Sequence, residues 1–279
     1  MIPVESERAA QERATLKPPV PASRPDGPDM ADSAVAEAAA AEAAAAGEAV
    51  KPKYVKQMFS DIAPTYDRVN RIISFRTDLR WRRKALAALD VQRRPDGRYL
   101  DLCAGTMDVA AAIARMQGFR GTVTAADFAE PMLRAGLGKV TGTRVAPVTA
   151  DALSLPVRDA SFDGAIVVFG IRNVANLDAG LREVYRVLRP GARFVILEFG
   201  MPKPWLIRTI YTAYFHHVLP RIGNVIAGHG TAYSYLPKSV AHFPDAPELE
   251  RRMEQAGFTK VRWQRFTFGV CALHVGEKQ

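Results

Sequence analysis

The pattern of hydrophobic and polar positions changes character near residue 54. From there, apolar residues between Phe59 and Ile73 recur at helical spacing, so helix is predicted within 54–74, and a second helix is predicted over 78–90. Residues 1–50 are rich in Ala, Glu and Pro, and their Ala/Glu run has no large apolar side chain to dock on a core. They are expected to form a disordered tail ahead of one folded domain, residues 51–279.

Short apolar runs then alternate with helical patterns. The predicted strands cover 98–103, 122–126, 145–149, 164–169 and 193–199, and the predicted helices between them cover 108–117, 130–139 and 178–189. This alternation is typical of an α/β fold with a parallel, doubly wound sheet and helices on both faces. The final stretch "KVRWQRFTFGVCALHVGEK" has two strand-like runs with no helix between them, which predicts an antiparallel hairpin at the sheet edge.

Residues 201–245 interrupt the alternation between the fifth predicted strand and the final predicted helix. The segment is aromatic, basic and broken by Pro and Gly. An insertion at this point lies over the carboxyl edge of the sheet, where ligands bind in open α/β folds. We therefore expect a lid or substrate insertion.

Charge is unevenly distributed along the chain. Residues 1–50 hold 4 basic and 9 acidic residues, so the remainder of a chain with net charge +9 carries +14. A basic domain is compatible with nucleic acids, anionic membranes and anionic ligands, and selects none of them. The acidic tail fits neither a signal peptide nor a transit peptide, and the two cysteines form no disulfide framework. A cytoplasmic protein is expected.

The stretch "DLCAGTMD" follows the first predicted strand and precedes a helix, which is the position of a nucleotide-binding loop in such sheets. Gly105 allows close backbone approach, and the following helix N-terminus offers free N–H groups. A loop for an adenosine cofactor usually carries more glycines. On this stretch alone, a plain strand-to-helix turn is an equal alternative.

Acidic residues at the ends of the next two strands favour the cofactor interpretation. Asp127 lies 22 residues after Gly105, at the spacing of a carboxylate that binds ribose hydroxyls, and Asp151 is placed to accept from an adenine amino group. Each has the alternative of an ordinary cap or turn residue. A single sheet without a second dinucleotide half favours S-adenosylmethionine over NAD. The predicted cofactor-binding residues are Asp101, Gly105, Thr106, Asp127, Phe128, Asp151 and Ala152.

Four further stretches are distinctive: "FSDIAPTYDRVNRIISF", "FGIRNV", "YRVLRPGARFVILEF" and "HVLPRIG…YSYL". In these the chain resembles the ubiquinone/menaquinone biosynthesis C-methyltransferases, a class I group dependent on S-adenosylmethionine, from about Tyr54 to Lys278. The resemblance implies a Rossmann-like fold with a seven-stranded, mostly parallel sheet. It also implies methyl transfer from S-adenosylmethionine to a ring carbon of a polyprenylated quinol, either demethylmenaquinol or 2-methoxy-6-polyprenyl-1,4-benzoquinol or both.

Three positions of the loop depart from the family pattern, Asp-Leu-Ala-Gly-Gly-Thr-Gly-Asp. Cys103, Ala104 and Met107 stand where the family has Ala, Gly and Gly. If the loop needs positive φ at Ala104 and Met107, each costs roughly 1 kcal/mol or more relative to glycine. Asp78 stands where the family tends to have a histidine, so no role for that histidine carries over.

The resemblance places catalytic candidates in three segments. Arg172 is predicted to stabilise a developing phenolate and Asn173 to hold a hydroxyl or a water. Tyr66 and Asp67 would bring polar groups from the N-terminal helix, and His217 in the lid would serve as a base near neutral pH. Loop capping, helix-interior contacts and lid packing are the respective structural alternatives.

Aromatic lid residues are the candidates for binding the quinol and its polyprenyl tail. The predicted substrate residues are Tyr211, Tyr214, Tyr233 and Tyr235, with Trp205, Ile207, Ile210 and Phe215 as further channel candidates. Ordinary helix packing is the alternative. Basic neighbours of these residues would give peripheral contact with an anionic membrane, at its inner face.

Other functions stay open at this stage. The acceptor could be another phenolic or isoprenoid molecule, or the chain could be a non-catalytic scaffold of a quinone-synthesis complex whose altered loop no longer binds cofactor. An RNA methyltransferase is the weaker alternative because no base-methylation motif or RNA-binding appendage is found. No nucleic-acid partner and no metal are expected, and a homodimer or a larger complex is left open.

Overall fold

The computed structural model describes residues 51–74, 76–214, 217 and 231–279, so the predicted tail lies outside the described part. The strands are β1 (Arg98–Leu102), β2 (Thr122–Asp127), β3 (Val145–Thr149), β4 (Phe162–Val168), β5 (Leu188–Phe199), β6 (Thr259–Phe266) and β7 (Cys271–Glu277). The described helices are α1 (Lys51–Ile62), α2 (Tyr66–Ile73), α3 (Asp78–Leu89), α4 (Asp108–Ala114), α5 (Glu130–Val140), α6 (Leu177–Val187), α7 (Trp205–Ala213), α8 (Thr231–His242) and α9 (Ala246–Gln255). None of these helices is long and apolar enough to cross a membrane.

The seven strands form one sheet in the order β3-β2-β1-β4-β5-β7-β6. β1 to β5 are parallel, and β7 lies antiparallel between β5 and β6. The predicted parallel sheet with a closing antiparallel hairpin is therefore confirmed. The strand order reverses between β1 and β4, which opens a crevice at their carboxyl ends.

The centre of the sheet is buried on both faces. Along β4, Ile166 packs into the core of one face and Ala165 and Val167 into the core of the other. Continuous apolar runs of this kind are what a parallel strand covered by helices on both sides requires. Acidic side chains of the central strands therefore lie at the strand ends: Asp163 at the amino end of β4, and Asp101 and Asp127 at the carboxyl ends of β1 and β2, where the crevice lies.

The N-terminal helices lie over the carboxyl edge of the sheet. Val55, Met58 and Ile62 of α1 form a buried cluster with Tyr235 of α8. α1 also contacts α5 and the short 3₁₀ turn Ile171–Asn173 that follows β4. A separate apolar cluster thus covers the crevice from above.

Two element boundaries differ from the sequence prediction. The helix predicted within 54–74 is two helices, because the chain turns at residues 63–65 around Pro64, whose missing N–H breaks the helical ladder. The helix predicted to reach residue 189 ends at Val187, and β5 begins at Leu188. Pro190 explains this, since the residue before a proline is disfavoured in helical geometry.

Candidate active site

The turn between β1 and α4 uses left-handed backbone at three positions. Cys103, Gly105 and Met107 have φ values of 52°, 52° and 62°, a region that side chains other than glycine rarely enter. Cys103, predicted as the last strand residue, is the first residue of this turn. Ala104 lies outside the left-handed region, so the missing glycine at this position needs no compensation.

Burial offsets the backbone strain at Met107. Its side chain is 0% exposed within the main core cluster. Burying a methionine side chain contributes about 1.5–3 kcal/mol, which exceeds the roughly 1–2 kcal/mol that a left-handed conformation costs. Neither departure from the family's glycines therefore prevents the chain from forming the loop.

Carboxylates at the ends of β1, β2 and β3 converge on the loop. Asp101 Oδ2 accepts from the Ala110 N–H at 2.9 Å, so it ties the strand to the start of α4. Asp127 Oδ2 accepts from the Gly105 N–H at 2.8 Å, and its Oδ1 accepts from the Ala129 N–H at 2.9 Å. The carboxylate of Asp127 thus holds the backbone of two turns, the one after β1 and the one after β2.

Burial acts strongly on two of these carboxyls. It raises the pKa of Asp101 to about 7, and it raises the pKa of Asp127 from its usual value although backbone N–H groups oppose the shift. Asp151 Oδ1 accepts from the Leu153 N–H at 2.9 Å in the turn after β3. The crevice therefore offers three carboxyl groups, of which those of Asp101 and Asp127 are buried.

A first cavity of about 950 Å³, including its open mouth, lies above these strand ends. The predicted cofactor residues all line it: Asp101, Gly105, Thr106, Asp127, Phe128, Asp151 and Ala152. The volume is in the range of cofactor pockets. A Cβ on Gly105 would lie 3.3 Å from Met132 Cε and 4.0 Å from Tyr66, so the glycine keeps the loop backbone accessible between these side chains.

Asn173 supplies an unused acceptor in the first cavity. The residue is 8% exposed, and its Oδ1 has no hydrogen-bond partner in the part of the chain that the structure describes. Leaving a buried amide oxygen unpaired costs about 1–3 kcal/mol, which a ligand ammonium or amino group would recover. Together with the three carboxylates, this donor-seeking set fits the ribose, adenine and amino-acid parts of S-adenosylmethionine.

Arg172 lies in a buried ion pair directly before this asparagine. Its Nη1 donates to Glu198 Oε1 at 2.7 Å and to the Phe169 carbonyl at 2.6 Å. The two side chains are 7% and 2% exposed. The guanidinium also lies 5.6 Å from the centroid of the Phe199 ring. Glu198 and Phe169 thus fix the cation at the end of β4.

A second cavity of about 670 Å³ adjoins the first. Four residues line both: Phe59, Tyr66, Arg82 and Phe169. Arg172, Asn70, Ser74 and Asp78 bring polar groups to the second cavity, whereas Met58, Ile62, Phe199, Tyr235 and Leu236 make the rest of its lining apolar or aromatic. The predicted catalytic residues Tyr66 and Arg172 are therefore brought together here.

Asp67 does not line either cavity. Its carboxylate accepts from Thr106 Oγ1 at 2.6 Å and forms an ion pair with Lys139, which also contacts Asp108 Oδ1 at 2.6 Å. Although burial opposes it, the hydrogen bonds from Lys139 and Thr106 lower the pKa of Asp67. The residue clamps α2 to the cofactor loop as a charged group, instead of facing a reacting atom.

The lid candidates separate into four groups. Tyr235 is buried beneath α1, and Tyr211 and Tyr214 pack against the same cluster. Trp205 and Ile210 are 77% and 59% exposed, so they do not line an inward channel. His217 is exposed and is not among the described residues that line the two cavities. The side chain of Tyr233 and all of Phe215 lie outside the described part.

Sequence reasoning missed four polar side chains: Asp78, Arg82, Lys139 and Glu198. Lys139 and Glu198 pair with residues distant in sequence, whereas Asp78 and Arg82 pair with each other at a spacing of four residues that is common on any helix surface. The one available signal was that Asp78 stands where the family tends to have a histidine. Asp78 is 7% exposed and accepts from Ser74 Oγ at 2.7 Å.

A model of the ubiE/COQ5 methyltransferase family matches residues 47–278. The chain belongs to this family. A demethylmenaquinone methyltransferase of Thermus thermophilus is 46% identical over 224 residues, which cover 79% of this chain and 100% of that protein. The ubiquinone/menaquinone biosynthesis C-methyltransferase UbiE of Geobacter sulfurreducens is 42% identical over 232 residues, covering 82% and 90%.

Solved structures support the fold of the family. The [4+2]-cyclase SpnF has a TM-score of 0.59 at 16% identity, over 81% of this chain and 95% of its own. A possible histamine N-methyltransferase from Thermotoga maritima, described as SAM-dependent, has a TM-score of 0.56 at 18% identity, over 80% and 99%. The predicted family, its Rossmann-like fold and its S-adenosylmethionine-dependent methyltransferase class are confirmed.

Proposed function

We propose that this family member transfers a methyl group from S-adenosylmethionine to a ring carbon of a polyprenylated quinol. Demethylmenaquinol is the first substrate to test, because the Thermus relative carries that name, and 2-methoxy-6-polyprenyl-1,4-benzoquinol is the second. The observation that carries this function is the junction of the two cavities at Phe59, Tyr66, Arg82 and Phe169. A cofactor in one cavity and an aromatic acceptor in the other would meet there.

The first cavity would hold the cofactor through the carboxylates of β1, β2 and β3. Asp127 is assigned to the ribose hydroxyls and Asp151 to the adenine amino group. Phe128 and Ala152 supply apolar walls, and Asn173 Oδ1 supplies the free acceptor. When bound, S-adenosylmethionine supplies a methyl group already activated on a sulfonium sulfur.

The second cavity supplies an environment for the quinol. Its ring carbon becomes an adequate nucleophile once a neighbouring hydroxyl has given up its proton to water. On methyl transfer the S–CH3 bond would break with its electron pair left on sulfur, and the ring carbon would then lose its hydrogen as a proton to water, which restores the aromatic ring. A cation beside that oxygen lowers the pKa of the hydroxyl and stabilises the quinolate. Arg172 is such a cation, and Phe199 and Tyr235 provide flat surfaces that exclude water from the ring. Holding the ring at the junction contributes the positioning that such transfers need.

The test is methyl transfer from labelled S-adenosylmethionine to demethylmenaquinol in detergent, with the product identified by mass spectrometry. The proposal expects a single C-methylation, at the carbon of the quinol ring that carries hydrogen and lies next to a hydroxyl. The benzoquinol, and a plain phenol of similar size, serve as comparison acceptors. Binding of the cofactor without transfer to either quinol would redirect the function to another phenolic or isoprenoid acceptor.

Exposed apolar residues at α7 fit contact with a membrane surface, where a polyprenylated quinol resides. Trp205, Leu206 and Ile210 are 77%, 53% and 59% exposed on this one helix, and Arg208 is exposed among them. Apolar side chains interleaved with basic ones bind the interface of anionic bilayers. These side chains support the proposal that the protein acts as a peripheral protein at the inner membrane face.

Co-sedimentation with phosphatidylglycerol-containing vesicles tests the membrane contact. Trp205→Ser combined with Ile210→Ser should abolish sedimentation. The matched control is Leu137→Ser on α5, where an apolar side chain is 47% exposed on a different helix. Equal sedimentation of all variants would remove α7 from the contact.

A further inference from the structure

Arg82 of α3 lies at the junction of the two cavities and had no role in the sequence prediction. Its guanidinium carbon is 5.6 Å from the centroid of the Phe169 ring, and the residue lines both cavities. Arg172 lines only the second of the two cavities. Among the described residues, Arg82 is therefore the one cation that lines both cavities.

The donors of Arg82 are less committed than those of Arg172. Its Nε is 3.4 Å from Asp78 Oδ2, beyond good hydrogen-bond length, and this buried Nε makes no hydrogen bond within the described residues. The other oxygen of Asp78 accepts from Ser74. Arg172 also has a buried Nε without a hydrogen bond within the described residues, but it gives Nη1 to Glu198 and to a carbonyl.

The charge of Arg82 reaches the groups at the junction. Burial raises the pKa of Tyr66, and Arg82 and then Arg172 oppose this shift. Arg82 also opposes the raised pKa of Asp101 at the end of β1. An oxygen placed between Tyr66 and the loop would experience the same field.

We infer that Arg82 stabilises the quinolate oxygen next to the methyl-accepting carbon, while Arg172 binds the oxygen on the opposite side of the ring. This inference rests on the proposed quinol methyltransferase function. A 1,4-quinol carries two oxygens across one ring, and the second cavity presents two cations on different elements, α3 and the turn after β4. Asp78 acts as a positioning residue that keeps Arg82 at the junction with partial charge compensation.

The test compares Arg82→Gln, Arg82→Lys and the wild-type protein with demethylmenaquinol at saturating S-adenosylmethionine. Loss of the cation should lower kcat about 100-fold, the scale for removing one oxyanion donor. Because a cation lowers the pKa of a neighbouring hydroxyl, its loss should move the acid limb of the kcat–pH profile upward by about 1 pH unit or more. Arg82→Lys, which keeps the charge, should retain the wild-type limb.

Calorimetric binding of S-adenosylmethionine and thermal unfolding separate this role from a structural one. Arg82→Gln should bind the cofactor as the wild type does, and Arg80→Gln, an exposed arginine on the same helix, should match the wild type in every readout. A lowered kcat with an unmoved acid limb, or an equal loss in both Arg82 variants together with lost cofactor affinity, would overturn the inference. Wild-type protein inactive on both quinols would instead overturn the proposed function.

Discussion

The two cavities differ in how their polar groups are held. In the first, side-chain carboxylates bind backbone N–H groups: Asp101 binds Ala110, and Asp127 binds Ala129 of its own turn and Gly105 of the neighbouring turn after β1. In the second, side chains pair with side chains: Arg172 pairs with Glu198 of β5, and Arg82 pairs with Asp78 one turn earlier on α3. The first is a generic site built by strand ends, whereas the second depends on how helices are placed over the sheet.

This difference indicates where specificity lies. In the first cavity, carboxylates bound to loop backbone are suited to the ribose and adenine groups that many cofactors share. Their positions follow from the order of the strands. The Asp78–Arg82 pair on α3 and the Arg172–Glu198 pair between the turn after β4 and β5 can be exchanged for other side chains without altering the sheet. The choice of acceptor should therefore respond to changes in the second cavity, and cofactor affinity to changes in the first.

Removal of Arg172 should produce the largest effect. After correction for lost stability, this effect should be confined to turnover. Arg172→Ala leaves Glu198 buried and unpaired, which costs about 3–5 kcal/mol of stability. Turnover should fall about 10²–10³-fold if the cation stabilises the quinolate. The double variant Arg172→Met with Glu198→Met replaces the pair by apolar groups, so it should regain stability but not turnover. Equal losses of turnover and of cofactor affinity would make Arg172 a structural residue.

Asp127→Ala should act on the first cavity alone. The change removes the acceptor for two backbone N–H groups and the proposed acceptor for the ribose hydroxyls. Hydrogen bonds to a charged group contribute about 1.5–3 kcal/mol each, so affinity for S-adenosylmethionine should fall at least about 100-fold by calorimetry. Asp159→Ala, an exposed carboxylate with 77% of its side chain accessible, is the control. Unchanged affinity would refute the cofactor assignment.

Asp101→Asn should change how stability depends on pH. The native pKa of about 7 lies above the usual aspartate value of 3.8, so the folded state binds this proton more tightly than the unfolded state. The free energy of unfolding contributed by this group is therefore unaffected below about pH 4 and falls as pH rises to about 7. The ideal loss is about 4 kcal/mol; because buried sites relax, about 2 kcal/mol is expected.

Denaturant unfolding at several pH values between 4 and 8 measures this term. Asn keeps an acceptor for the Ala110 N–H without a titrating proton, so the variant should show a flatter profile than the wild type. Asp127 also has a raised pKa, so a residual slope is expected. A profile identical to that of the wild type would show that Asp101 is ionised throughout.

Lys139→Met should weaken ligand binding in both cavities, with a smaller effect than the preceding variants. The lysine joins Asp67 of α2 to Thr106 and Asp108 of the loop, and α2 carries Tyr66. Partly exposed ion pairs contribute little individually, but a network of three is worth roughly 1–1.5 kcal/mol. Cofactor affinity and the KM for quinol should both weaken about 10-fold. Lys260→Met, which removes an exposed pair with Glu277, should leave both unchanged.

The sequence indicated the first cavity well because its information is local. Asp101, Gly105, Asp127 and Asp151 follow strand ends at recognisable spacings, so sheet topology alone brings them together. The same spacing could not reveal that Met107 would adopt φ of 62° and be rescued by burial. That outcome depends on packing against helices that come earlier and later in the chain.

The second cavity was predicted only in part, because its pairs are long-range. Arg172 and Tyr66 were named from the family resemblance, whereas Glu198, the partner of Arg172, lies 26 residues away. Asp67 illustrates the difficulty. A carboxylate next to a candidate tyrosine was predicted to be catalytic, but the helix turns it towards the loop, where an ion pair holds it.

Restoring the family's glycines should have the smallest effect on cofactor affinity, and it tests whether the first cavity is already competent. Ala104 has an ordinary φ, so Ala104→Gly adds only backbone freedom to the unfolded chain and should lower stability by about 0.4–1 kcal/mol. Met107→Gly relieves the left-handed strain but empties a buried site, and the lost packing of about 2–5 kcal/mol outweighs that relief. Affinity for S-adenosylmethionine should change less than about 3-fold in the single and double variants, because the loop backbone already has the required geometry. A large gain in affinity on restoring both glycines would instead support a scaffold whose loop had lost its cofactor, and it would make the second cavity the only retained part of an enzyme.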